Sequence, residues 1–227
     1  MLWHGTPGSA VNLNPAGITN SIAYGTDATQ QVGYGWGSST SGADHALLWT
    51  SSAASAVDLN PYLFGASTQS FAVSVSGSEQ VGYQYATFGQ DHAVLWTGSA
   101  TSAVDLNPTD LSGINYSAAY ATNGIDQVGY GYKNTTIISG NALLWTGTAN
   151  SAVNLQTLLP ATGTWFNSYA FWIDPAGNVY GTAQGMYAGA DATFAVEWTP
   201  VPEPATGSVV LIAGAGVFMR RQRERWG

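Results

Sequence analysis

Two histidines stand out among the side chains that could do chemistry, because their surroundings repeat. His45 and His92 each follow an aspartate, Asp44 and Asp91, and each begins a His-Ala-x-Leu-Trp segment. A catalytic histidine needs a nucleophile and an orienting group beside it. Repetition at equivalent positions instead favours architecture, so we expect an Asp–His hydrogen-bond network that ties each repeat together.

Three acidic residues in irregular positions are the other candidates for catalysis: Asp110, Asp174 and Glu197. A polysaccharide hydrolase needs two convergent carboxylates, and nothing in the sequence pairs these three. We therefore expect no catalytic residues and a protein that is not an enzyme. A polysaccharide-acting hydrolase or lyase is the alternative.

Sequence signatures of metals and cofactors are missing. The chain has no cysteine, which excludes thiolate metal sites, and it has no acidic loop with calcium-binding spacing. The glycines at 33–37 lack the spacing of a dinucleotide loop. We expect no cofactor and no specific metal site, with loose calcium binding by the acidic surface as the alternative.

Charge separates the body of the chain from its C-terminus. Residues 1–201 hold one basic residue, Lys133, against eleven acidic ones, a net charge of −10, whereas four arginines lie in the last eight positions. An acidic body offers no cationic surface from which a nucleic acid could displace counterions. Nucleic acid is therefore excluded as a partner.

Aromatic residues supply the remaining candidate chemistry. Trp36 ends an alternating strand pattern, and Trp165 and Trp172 lie in an irregular region near the end of the body. Exposed aromatic rings stack on sugars, so these three are candidate glycan-stacking residues. The alternative is that they pack between repeats.

An internal repeat organises residues 1–199, which we predict to be one domain. Three motifs recur in order: Gln-Val-Gly-Tyr, first complete at 31–34, His-Ala-Leu-Leu-Trp at 45–49 and Ser-Ala-Val-Asp-Leu at 55–59. The repeat period is 46 to 53 residues, measured between Trp3, Trp49, Trp96, Trp145 and Trp198.

Each repeat predicts four short strands. Val32, Tyr34 and Trp36 share one face of the second strand, and we expect the glycines on its other face to let a neighbouring sheet approach closely. Four-stranded units of about 40–50 residues are typical of β-propeller blades. We predict an all-β propeller of four four-stranded blades, alone or within a larger ring, with a β-solenoid as the alternative. The last repeat has three strands, and we expect Ala10–Leu13 to complete it.

These motifs resemble the HAF family of extracellular repeats, which is marked by His-Ala-Phe-Leu-Trp, Gly-Gln-Val-Val-Gly-Tyr-like and Asp-Leu strands. The resemblance covers most of residues 1–199. Leu or Val replaces the phenylalanine here, and the last two repeats lack the histidine. The resemblance implies a propeller and carries no specific activity.

The character of the chain changes after Trp198. Residues 200–206 are a proline-rich linker, residues 207–219 are uncharged and mostly apolar, and residues 220–227 are basic. This order predicts a short transmembrane helix with its basic end in the cytoplasm. The basic cluster consists of Arg220, Arg221, Arg223 and Arg225.

The order of Pro-Glu-Pro, apolar span and arginine cluster is similar to the PEP-CTERM sorting signal. The resemblance implies recognition of Pro202, Glu203 and Pro204 by an exosortase, a processing enzyme of Gram-negative bacteria. It also implies transient anchoring in the inner membrane and delivery to the cell envelope or an exopolysaccharide-rich matrix. Residues 1–4 lack the features of a signal peptide, so we expect the natural protein to begin upstream.

The function predicted from the sequence is therefore that of an exported surface or matrix protein. Its role would be structural, adhesive or binding. Its expected partners are an exosortase-type enzyme, the membrane before processing, and exopolysaccharide.

Overall fold

The computed structural model describes residues 1–61, 63, 69–87, 90–133 and 139–200. These residues form fifteen strands and six short 3-10 helices. The strands are β1 (Asn20–Thr26), β2 (Gln31–Trp36), β3 (His45–Trp49), β4 (Val57–Asp58), β5 (Ser70–Ser76), β6 (Glu79–Thr87), β7 (Gln90–Trp96), β8 (Val104–Asp105), β9 (Tyr116–Thr122), β10 (Gln127–Tyr132), β11 (Asn141–Trp145), β12 (Val153–Asn154), β13 (Thr164–Ile173), β14 (Val179–Tyr187) and β15 (Ala190–Trp198). The 3-10 helices are Pro7–Ser9, Ser38–Thr40, Ala53–Ser55, Ala100–Ser102, Ala149–Ser151 and Leu155–Leu158.

The strands form four antiparallel sheets, each made of strands that are consecutive in the sequence. We call them sheet I (β1–β4), sheet II (β5–β8), sheet III (β9–β12) and sheet IV (β13–β15). The all-β prediction is confirmed. The prediction of four strands per sheet is confirmed for sheets I to III. Sheet IV has the three strands predicted for its own repeat, without the fourth that Ala10–Leu13 was expected to add.

The N-terminal segment does not complete sheet IV as expected. Val11 pairs with Leu2 instead, and Leu13 packs on Leu47 and Trp49 of sheet I. The hydrogen-bonding edge of Ala10–Leu13 is therefore engaged by the strand that precedes it. Leu2 and Val11 repeat the pairing that joins β3 to β4, so residues 2–13 are the end of one more repeat.

A serine turn supports this assignment of the N-terminal segment. In sheet I the Ser55 hydroxyl donates to the Ser52 carbonyl at 2.7 Å and accepts the Thr50 N–H at 2.8 Å. The Ser9 hydroxyl donates to the Thr6 carbonyl and accepts a backbone N–H five residues before it in the same way. The same local geometry recurs in all copies of the motif because the Ser-Ala-Val sequence recurs.

Consecutive sheets pack face to face. We call the side of a sheet that carries residues such as Val32 and Leu48 its valine face, and the side that carries residues such as Trp96 its tryptophan face. The valine face of sheet I packs on the tryptophan face of sheet II in one buried cluster. The same contact recurs from sheet II to III and from III to IV. Among the described strands, sheets I and IV make no comparable contact.

Candidate binding cleft at the bulged first strands

The first strand of every sheet carries a β-bulge at the same repeat position. In β1 the pairing with β2 skips Tyr24, which lies between the paired residues Ala23 and Gly25. The equivalent skipped residues in the other first strands are Val73, Tyr120 and Phe171. A bulge re-aims a side chain and leaves its backbone outside the ladder. Each sheet therefore presents one re-aimed residue at this repeat position.

The glycine of the Val-Gly-Tyr motif makes room for this bulge. A Cβ on Gly33 would lie 1.8 Å from the carbonyl oxygen of Ile22, and one on Gly82 would lie equally close to that of Phe71. Both carbonyls belong to the first strand of the glycine's own sheet. The expectation that these glycines admit a neighbouring sheet is therefore wrong, because the close atom comes from the paired strand.

The four bulged residues line a single cleft with a volume of about 580 Å³. Its walls are the ends of β1, β5, β9 and β13, so every sheet contributes its first strand. Hydroxyl and amide side chains complete the polar part of the wall: Thr26, Ser74, Ser76, Thr122 and Asn123. The cleft thus combines aromatic and neutral hydrogen-bonding groups.

Three aromatic rings of the cleft are open to solvent. Tyr24 is 57% exposed, Phe171 is 47% exposed and Trp172 is 61% exposed. Tyr120 is half-buried, and its ring stacks on Tyr130 with centroids 5.3 Å apart. A core position does not leave large rings this exposed, so packing alone does not explain them.

The cleft surface is electrically neutral. None of the described residues that line it is charged. The nearest carboxylate in the hydrogen-bond network is that of Glu79, which accepts hydrogen bonds from Thr122 at 2.8 Å and Gln127 at 2.9 Å behind the wall. Burial, with a smaller contribution from the charge of Glu79, raises the pKa of the neighbouring Asp126 carboxyl.

The structure separates the three tryptophans proposed to stack on glycans. Trp36 is half-buried, outside the cleft, and stacks on Tyr34 at 5.9 Å. Trp165 packs against aromatic rings of the core and donates its indole N–H to the Pro160 carbonyl at 3.0 Å. Trp172 alone of the three lines the cleft.

The predicted Asp–His hydrogen bond is present, with a different aspartate. His45 Nδ1 lies 2.7 Å from Asp58 Oδ2, and His92 Nδ1 lies 2.9 Å from Asp105 Oδ2. Both aspartates come from the fourth strand of the sheet. The aspartate that precedes each histidine is unsuited to this bond, because neighbours along a strand point to opposite faces.

The histidine of sheet I belongs to a relay that crosses to sheet II. Asn60 Nδ2 lies 3.3 Å from His45 Nε2, and the Ser70 hydroxyl donates to Asn60 Oδ1 at 2.7 Å while accepting the Ala46 N–H at 2.9 Å. Ser70 is 0% exposed and Asn60 is 2% exposed. This serine is sealed from solvent, so the relay is a structural cross-link and the hydroxyl is no nucleophile.

None of the three candidate carboxylates lines the cleft. Asp110 lies in an exposed loop, and Glu197 stands opposite Tyr180 in sheet IV. Asp174 accepts hydrogen bonds from Asn178 at 2.8 Å and from the Tyr180 hydroxyl at 3.2 Å. These bonds, with the Asn178 side chain foremost, lower the pKa of Asp174, which makes it a poor proton donor.

The predicted sorting residues Pro202, Glu203 and Pro204 lie outside the described residues. So do the predicted transmembrane segment 207–219 and the arginines at its end, Arg220, Arg221, Arg223 and Arg225. The part of the chain that is described contains no helix with the length and hydropathy to cross a bilayer. It also holds no cluster of three or more side chains suited to binding a metal ion.

The bulged residues were missed by sequence reasoning, although a signal exists. Aligning the first strands on their shared alanine, Ala23, Ala72, Ala119 and Ala170, places the four bulged residues in one column directly after it. No protein-family model and no curated protein sequence matches this chain. Fold and site together define an all-β repeat protein whose four sheets share one neutral, aromatic cleft.

Proposed function

We propose that this protein is a non-enzymatic binding protein of the bacterial cell surface or extracellular matrix, and that the shared cleft is its binding site. The observation that carries the proposal is the convergence of four equivalent bulges on one cleft. Two of the four re-aimed side chains, Tyr24 and Phe171, are largely exposed to solvent, and exposing an aromatic ring does not stabilise a fold. A common binding site explains why all four repeats re-aim a side chain at one place.

The architecture that we propose is a β-propeller. Successive antiparallel sheets of three or four strands pack face to face with their first strands around a common cleft, an arrangement typical of blades around an axis. Among the described strands, sheets I and IV make no contact comparable to those between consecutive sheets. This favours four blades of a larger ring over a closed ring of four.

A binding role explains the polar groups better than catalysis does. The cleft offers no described carboxylate, and the repeated histidines are held in structural hydrogen bonds. The Asp174 carboxylate is fixed in a turn by its own neighbours. These features disfavour the alternative of a polysaccharide hydrolase or lyase, which needs an acid and a base in one pocket.

The binding function is testable because the chain has no cysteine. Ser76→Cys places one thiol in the cleft, and Thr101→Cys places one at an exposed position of the 3-10 helix Ala100–Ser102, outside the cleft. Maleimide labelling is followed with and without the polysaccharide, protein and small-molecule fractions of the native host's envelope. We expect at least one fraction to slow labelling at position 76 and not at position 101. Equal labelling with every fraction would rule out the binding function.

Export by C-terminal sorting is a separate part of the proposal. It is supported by the Pro-Glu-Pro, apolar and arginine order of residues 202–225. Replacing Pro202, Glu203 and Pro204 with alanine in the native host should abolish processing and surface delivery, as followed by the size and location of the protein. Unchanged processing would refute this part and leave the binding proposal intact.

A further inference from the structure

We infer that the ligand of the cleft is an uncharged oligosaccharide chain, with the indole ring of Trp172 as its main stacking platform. The inference rests on the proposed binding function and names its ligand class. Sugars present apolar C–H faces and hydroxyl edges, so they need aromatic planes next to neutral hydrogen-bonding groups. The described lining has both kinds of group and no charge.

Comparison between repeats shows that Trp172 takes no part in the packing between the described sheets. The position after the bulge is Gly25 in sheet I, Ser74 in sheet II and Ala121 in sheet III. It is small where another sheet packs on it, since a Cβ on Gly25 would lie 2.7 Å from the Val73 carbonyl. In sheet IV the same position holds the largest side chain available, and that side chain is 61% exposed.

Two serine hydroxyl groups of the cleft are free to hydrogen-bond a ligand. Within the described part of the chain, the hydroxyls of Ser74 and Ser76 make no hydrogen bond, although both line the cleft. The bulges add backbone groups that lie outside the ladders. By contrast, the Thr122 hydroxyl is already bonded to Glu79. Sugar hydroxyls, which both donate and accept, are suited to the free groups.

Charge selects against the other ligand classes. The body carries a net charge of −10, and its one basic residue, Lys133, does not line the cleft. Uronic or sulfated sugars would meet a repulsive field without a cation to bind them. A basic peptide would require carboxylates that the lining lacks. The volume of about 580 Å³ lies within the usual range for small-molecule sites, about 300–1,000 Å³, and leaves room for a few sugar units.

The test measures binding of defined sugars by the full chain, held in a detergent without a sugar headgroup. The probes are the neutral hexasaccharides of cellulose, laminarin, starch and xylan, the neutral polysaccharide fraction of the host, hexagalacturonate and a lysine-rich heptapeptide. We expect at least one neutral probe to bind in calorimetry, and the charged probes not to bind. Trp172→Ala should weaken that binding about tenfold or more, the loss expected from a missing stacking partner.

Phe166→Ala is the matched control, because Phe166 is 50% exposed in the same strand and lies outside the cleft. It should change the Kd less than about twofold. Trp172→Phe, which keeps a ring, should recover part of the affinity. Equal effects of the two alanine substitutions on the Kd would refute the role of Trp172 as the stacking platform. Failure of all neutral probes, or binding of the peptide instead, would overturn the ligand class. Protection of the thiol at position 76 by a host protein fraction would then still support a binding function.

Discussion

Gly82→Ala tests the link between the Val-Gly-Tyr motif, the bulge and the cleft. The alanine Cβ would stand 1.8 Å from the Phe71 carbonyl oxygen, and real Cβ atoms stay beyond about 3.0 Å, so β5 and β6 would have to separate by about 1.2 Å. Gly82 does not have a positive φ, so the cost is steric and owes nothing to backbone preference. Weakened hydrogen bonds around the Ala72–Gly82 pair cost ~1 kcal/mol each. Together with the overpacking, we expect Gly82→Ala to lower the free energy of unfolding by about 3 kcal/mol.

Urea unfolding followed by circular dichroism measures this cost. Gly8→Ala is the control, since a Cβ there meets nothing within 4 Å and its φ is not positive. We expect Gly8→Ala to change the free energy of unfolding by less than ~0.5 kcal/mol. A cost below ~0.5 kcal/mol for Gly82→Ala would show that the bulge does not need the glycine, and the explanation of the motif would fail.

Three further outcomes follow from the same contacts. Asn60→Ala should cost about 2–3 kcal/mol in urea unfolding, because it strips buried polar partners of their hydrogen bonds; Asn14→Ala, whose amide oxygen already has no partner among the described residues, should cost under ~1 kcal/mol. Burial raises the pKa of Asp91 above its ordinary 3.8, so its charge destabilises the fold increasingly as pH rises above that value. Asp91→Asn, which keeps an acceptor for the Tyr132 hydroxyl, should therefore raise the Tm at about pH 7 and not at about pH 3, and the same change at both pH values would contradict this. Glu197→Leu should add an exposed apolar patch to sheet IV and promote self-association in size-exclusion chromatography with light scattering; a monodisperse monomer would argue against it.

The repeat strands were predictable because their patterns depend on local alternation. Val32, Tyr34 and Trp36 alternate with glycines, and this period of two marks a strand whatever its partners are. The pairing of Ala10–Leu13 was not predictable in the same way. Two edges with suitable hydrogen-bonding groups compete for one strand, and the nearer one, at Leu2, forms the pair.

The candidate site was less accessible to sequence reasoning than the fold. A bulge is a property of two paired strands, so Tyr24 looks like any other strand residue until its register against Gly33 and Val32 is known. The same limitation applies to His45. Its partner Asp58 lies thirteen residues away in the sequence, whereas the adjacent Asp44 is more conspicuous and points elsewhere.

The last sheet shows which positions are set by packing and which are free for other roles. Leu48, Leu95 and Leu144 each stand opposite the motif valine on the valine face, where the next sheet covers them. In sheet IV the corresponding pair is Glu197 opposite Tyr180, and no described sheet covers this face.

Trp172 lies beside this pair, opposite Tyr180, and its exposed indole needs a separate explanation. Glu197 and Trp172 therefore depart from the pattern of the other repeats for different reasons. Loss of the covering sheet explains the carboxylate, because a charge is tolerated once the position faces water. The tryptophan opposes that trend, since exposing its ring costs free energy. A ligand explains this large apolar residue at the rim of the cleft that all four sheets share, and the packing of the described sheets does not.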